Sequence, residues 1–178
     1  MNQIPKHKFE AMSLLIADNG MLNVTIIPAE NQPDWIIPSS LILSVNDCNE
    51  YIWTYLWQRQ DIPVFHLLPR HQTPDKLVIL EGNTVIHRLA LQTAGKLRQI
   101  KVGISDVKDT ELPEQYSSIE ANNRTTQSNS NRPTSTTTDR VEENILTSYV
   151  YQTVLIDNVA YLVPDLDKIA YQMVELDS

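Results

Sequence analysis

The chain predicts a mainly β fold built from short strands, with a short helix near each end. Three observations carry that prediction. Apolar side chains recur at every second position through most of the sequence, turn-forming residues separate these runs, and a helical period occurs only near the termini. The spacing of the runs gives about nine or ten strands, a number that suits small barrels or a sandwich. At 178 residues the chain is long enough for one domain of ordinary size, or two small subdomains sharing a core, without disulfides or structural metals.

Taken in order, "KFEAMSLLIADNG" places Phe9, Met12, Leu15 and Ile16 at helical spacing and stops at Asn19-Gly20, so residues 1–20 are expected to form a helical extension. In "MLNVTII", Leu22, Val24 and Ile26 share one face of a strand. "YIWTYLWQRQDIPVFHLL" follows. As a single strand it would direct Tyr51, Trp53, Tyr55 and Trp57 to one side as an aromatic row. Such a row either fills a core or lies at a recognition rim, where Trp and Tyr are enriched. Pro63 cannot donate to a ladder, which predicts an edge strand or a bulge beside Trp57, Gln58 and Arg59, a place for a partner to dock or simply a protected edge.

"KLVILEGNTVIHRLALQTAGKLRQIKVGI" divides into three runs separated by "EGN" and "TAG", and reads as a three-stranded meander with glycine-assisted turns. In its last run Ile100, Val102 and Ile104 share a face while Gln99 and Lys101 point away. The stretch 117–144 is rich in Ser, Thr, Asn and Arg and nearly free of large apolar side chains, so it predicts a disordered polar insertion, an enlarged loop within one fold. Strand patterning resumes in "ILTSYVYQTVLID". Finally "PDLDKIAYQMVEL" opens on Pro164 and acidic residues and lines up Leu166, Ile169, Ala170 and Met173 as one helical stripe.

Chemistry is conspicuous by its lack of constellations. A net charge of -8 and a pI near 4.9, with no Lys/Arg cluster, argue against binding a phosphate backbone. The single cysteine, Cys48, allows no internal disulfide framework and no zinc site of its own, and with no secretory leader in view it points to a reducing cytoplasm. "AMSLLIA" is too short to span a membrane. His66 and Asp61 are five residues apart, an odd separation that puts them on opposite faces of a strand, and no G-x-S-x-G or H-E-x-x-H motif occurs. His87 reads as a strand histidine with a satisfied hydrogen bond, and His7 and His71 fall in tail or loop segments. Gly20, Gly82, Gly95 and Gly103 are too scattered for a phosphate loop. No catalytic, cofactor-binding or metal-ligating residue is assigned.

"YLWQRQDIPVFHLLP" resembles the central signature of CheW-like chemotaxis coupling domains, in which a strand ends in an Arg-Gly turn and the next reads apolar-Pro-apolar-apolar-Asp-Leu. Ile62, Pro63, Val64, Phe65 and Leu67 keep that second strand. The likeness continues through "KLVILEGNTVIHRLALQTAGKLRQIKVGISDVKD" and "VAYLVPDLDKI", covering about Met21 to Leu176 apart from the polar insertion. Within the family it is most similar to the small stand-alone members, of the ChpC or PilI kind, found in type IV pilus (twitching) chemosensory systems. The resemblance implies two small five-stranded β-barrels side by side, no enzymatic activity, and a scaffold joining methyl-accepting receptors to a CheA-type histidine kinase. The implied partner contacts are Leu56, Trp57, Gln58, Arg59 and Asp61. Gln58 stands where the family often has its receptor-contacting arginine, Arg59 where it has glycine, Trp53 where glycine is usual and His66 where aspartate is usual. Loss of the glycine predicts a changed turn. A reading of another class is a ligand- or single-strand-binding barrel that uses the aromatic row as a stacking platform, against which the acidic charge stands.

Overall fold

The structure, a computed structural model, describes residues 19–82, 85–116 and 150–176. Among these, eleven strands form two curled sheets. The strands are β1 (Met21–Ile27), β2 (Trp35–Pro38), β3 (Ile42–Asp47), β4 (Thr54–Trp57), β5 (Gln60–His66), β6 (Lys76–Leu80), β7 (Leu89–Thr93), β8 (Arg98–Gly103), β9 (Lys108–Thr110), β10 (Val150–Ile156) and β11 (Val159–Pro164), followed by helix α1 (Leu166–Leu176). One sheet has six strands in the order β8-β1-β2-β11-β10-β9; the other has five, β3-β6-β7-β5-β4. The mainly β prediction holds, with one strand more than the upper expectation and a sixth strand, short β9, on one sheet. Residues 1–18 and 117–149, where the helical extension and the polar insertion were expected, lie outside the described residues. The chain between β9 and β10 joins antiparallel neighbours of one sheet.

Three apolar clusters organise the interior. Leu22, Val24 and Ile26, the predicted face of β1, pack with Val102 and with Val154 and Tyr161 inside the six-stranded sheet. Ile62, Val64, Leu77, Ile79 and Ala90 fill the five-stranded one. The third cluster belongs to both sheets: Ile27, Trp35 and Ile37 on one side meet Phe65, Leu67, Val78 and Leu91 on the other. Trp35 and Phe65 face each other there with ring centroids 5.7 Å apart. Full burial of a ring such as Phe65 contributes about 1.5–3 kcal/mol. Trp35 also satisfies its indole N–H, which donates to Gln32 Oε1 at 3.0 Å. Ile169 and Ala170 of α1 are buried in this shared layer with Leu166 and Met173 beside them, so the stripe predicted for the C-terminal helix is the face that packs.

Several local expectations fail for identifiable reasons. The three-stranded meander is only a pair: β6 and β7 are antiparallel neighbours, but β8 leaves to pair with β1 in the other sheet. Gly95, at φ +110, supports that crossing. "EGN" makes no tight hairpin, because β6 and β7 are joined through a 3-10 turn at Val85–His87. Gly82 has an ordinary φ; its role is close approach, since a Cβ there would stand 2.3 Å from the His87 carbonyl oxygen. His87 therefore sits in that turn and not in a strand, its ring 4.5 Å from Tyr171.

Pro63 is not on an edge either, because β5 lies between β7 and β4. The Val64 N–H donates to the Trp53 carbonyl at 2.9 Å, so by alternation residue 63 turns toward β7, and pairing with β7 begins only at Val64. The missing N–H falls where no ladder partner waits.

Candidate functional site

Sequence reasoning placed the contact residues on one segment, and the structure folds that segment into the β4–β5 hairpin. Its register is Thr54↔Pro63, Tyr55↔Ile62, Leu56↔Asp61 and Trp57↔Gln60, leaving Gln58 and Arg59 as a two-residue loop. Of the two-residue hairpin loops matched to strand twist, the type I′ loop needs positive φ at both positions. Gln58 (φ 48) and Arg59 (φ 67) both adopt it. The changed turn predicted from loss of the glycine is thus corrected in one respect: Arg59 holds the left-handed conformation a glycine would take, at a cost of about 1–2 kcal/mol per L-residue.

Alternation divides the hairpin into two faces. Tyr55, Trp57 and Ile62 point inward, with Tyr55 and Trp57 half-buried against the core of the five-stranded sheet. Leu56, Gln58, Arg59 and Asp61 are exposed, Leu56 at 67% of its maximum. All five expected contact residues therefore share one hairpin, four of them open to solvent and Trp57 turned in. Arg88 stacks over the Trp57 ring at 5.5 Å while its Nε donates to Glu81 Oε1 at 3.0 Å. Gln60 Nε2 donates to the Val85 carbonyl at 2.7 Å. The loop end of the hairpin is held from both strands.

The aromatic row is not one row. Strand β4 starts at Thr54, so Tyr51 and Trp53 precede it and form a separate group around His66. The His66 ring stacks on Tyr51 at 3.9 Å and meets Trp53 edge-on at 4.8 Å, and Arg70 lies over the Trp53 ring at 5.1 Å. His66 Nε2 lies 2.6 Å from the Ile52 carbonyl, the geometry of an N–H donated to that oxygen. Burial pushes its pKa down to about 4, against the opposing effect of that hydrogen bond and with the Arg70 charge adding to the depression. A neutral ring that clamps Tyr51–Trp53 is what this histidine supplies. Gln92 of β7, fully buried, completes the clamp: Nε2 donates to the Glu50 carbonyl at 2.6 Å, and Oε1 accepts the Ile52 N–H at 3.3 Å. Of the four rings only Trp53 is exposed, at 54%, so no continuous stacking platform forms.

Trp53 is the surface aromatic that sequence reasoning grouped wrongly, since alternation was carried back past the start of the strand. Val85 and Ile86 in the 3-10 turn and Tyr171 on α1 are further exposed apolar side chains it did not single out. Nothing in their local spacing marks them. Among the described residues no group of three or more His, Cys, Asp or Glu side chains is placed to hold a metal ion, and no helix is long and apolar enough to cross a membrane.

No protein-family profile and no curated protein matches the chain. Among solved structures, it is similar to the scaffolding protein TtCheW from Thermoanaerobacter tengcongensis, with a TM-score of 0.51 over 82% of this chain and 90% of that one, at 9% identity. The fold is CheW-like. In this chain that fold comprises two curled sheets, an apolar layer common to both and a C-terminal helix packed on it. On this CheW-like frame the β4–β5 hairpin carries the residues that the sequence resemblance selected.

Proposed function

We propose that the chain is a non-catalytic adaptor that couples methyl-accepting receptors to a CheA-type histidine kinase in the cytoplasm, in a twitching-motility array of the type IV pilus kind. The observation that carries this reading is the exposed hairpin of Leu56, Gln58, Arg59 and Asp61 on a CheW-like fold. Two independent lines support it: the likeness to a solved scaffolding protein, and the order of the "DIPVFHL" and "LVPDLDKI" segments in the sequence. An adaptor needs shaped surfaces held in a fixed relation. Here the hairpin is pinned through Trp57–Arg88 and Gln60–Val85, and the two sheets are joined through Trp35–Phe65. Signal would pass as a change in the relative geometry of the two bound partners.

The expected domain unit is residues 21–176, with the polar segment 117–144 within it. The test is a pull-down and titration with the CheA-type kinase and a receptor signalling tip from the same organism. Binding at about micromolar to tens of micromolar is expected, weakened at least about tenfold by Leu56→Asp with the fold intact. No complex with either partner at about 100 µM would sink the proposal.

A further inference from the structure

Strand β4 is an edge of the five-stranded sheet and pairs only with β5 among the described residues. Its ladder uses Tyr55 and Trp57, which leaves the N–H and C=O groups of Thr54 and Leu56 directed outward. Edges of this kind are normally blunted by Lys, Pro or a bulge. Strand β4 reads Thr-Tyr-Leu-Trp and pairs without a register shift, and Pro63, which would have protected an edge, lies one strand further in. Both outward-facing residues are exposed.

We propose that β4 pairs antiparallel with β4 of a second copy of this chain. The pairing is self-matching about Tyr55. With Tyr55 opposite Tyr55 on a two-fold axis, Thr54 of each copy faces Leu56 of the other, and each such pair exchanges both of its outward N–H and C=O groups. The strand carries no charge, so pairing with itself brings no like charges together. Antiparallel order also turns the Arg59 end of one strand toward the Glu50 end of the other, and both side chains are exposed. A charged foreign strand would find no complementary charge on β4 itself. The result is one continuous sheet running through both copies.

Four residues a side make a small interface, so the dimer is weak, with a dissociation constant of about 100 µM. This goes beyond the adaptor reading and is tested without kinase or receptor, so either can fail alone. Sedimentation equilibrium of the full chain from about 10 µM to about 1 mM should show a monomer–dimer transition. Leu56→Pro removes an outward N–H and none of the β4–β5 bonds, and should abolish the transition. Leu56→Lys, which keeps the backbone intact, should weaken it at least about tenfold. A single species across the whole range overturns the proposal. So does a dimer unchanged in both variants. Amide exchange separates the causes: protected Thr54 and Leu56 amides in a monomer mean that another part of this chain covers the edge, and rapid exchange means that the edge stays open to solvent.

Discussion

Replacing the hairpin loop Gln58-Arg59 with Asn-Gly should make the protein more stable and a poorer binder. Both native residues sit at left-handed φ, 48 and 67, where an L side chain costs about 1–2 kcal/mol. Glycine at position 59 removes that cost but gives back about 0.5–1 kcal/mol through the freer unfolded chain. Asparagine tolerates the left-handed region better than glutamine does, so position 58 adds a few tenths. The net gain is about 1 kcal/mol, which for a chain of this length raises Tm by about 2–4 °C. Thermal and urea unfolding would measure it. Under the proposed adaptor role, affinity for a CheA-type kinase or receptor should move the other way, because the exposed Gln58 and Arg59 side chains are lost. Equal or lower stability in the Asn-Gly variant would refute the claim that this turn is strained. Higher stability with unchanged affinity would instead remove the loop from the contact surface.

Two further outcomes follow from the clamp behind the hairpin. His66 has a folded pKa of about 4 against an ordinary value near 6.5, so the unfolded chain takes up the proton first and acid favours unfolding. The contribution is full above the unfolded value and is lost as pH falls toward the folded one; between about pH 7 and about pH 5 it amounts to about 1 kcal/mol, allowing for partial solvation of the ring. Urea midpoints of wild type and His66→Gln across this range should differ in slope; parallel curves would contradict the assignment. Gln92→Leu keeps the volume but strands the Ile52 N–H and the Glu50 carbonyl, and should cost about 1–3 kcal/mol with faster amide exchange at Ile52. A variant of native stability would show that the Gln92 hydrogen bonds are not what holds the segment.

What the sequence discloses here is local, and what it conceals is pairing. The faces of β1 and β8 and the packing stripe of α1 could be read because each repeats along a continuous stretch, as at Leu22, Val24 and Ile26 or Ile169 and Ala170. The turn at Gln58 and Arg59 was reached through the family resemblance, which places a strand-ending turn there, and not through periodicity. The destination of β8 was not legible, because adjacency in sequence favours β7 and only the complete sheet decides for β1. Pro63 misled because composition says that an N–H is missing but not which side of the strand it would have faced. Trp53 misled because a buried glutamine forty residues on from Ile52, Gln92, accepts the Ile52 N–H and fixes the chain just before Trp53, outside the strand.

Strand β5 carries Asp61, Pro63 and Phe65 on one side, beginning at the exposed hairpin and ending against Trp35 in the layer common to both sheets. At about 3.3 Å per residue, the tip and the joint are only about 13 Å apart along one stiff rod. A push on the hairpin therefore has a short mechanical route to the opposite sheet, with no loop in between to absorb it.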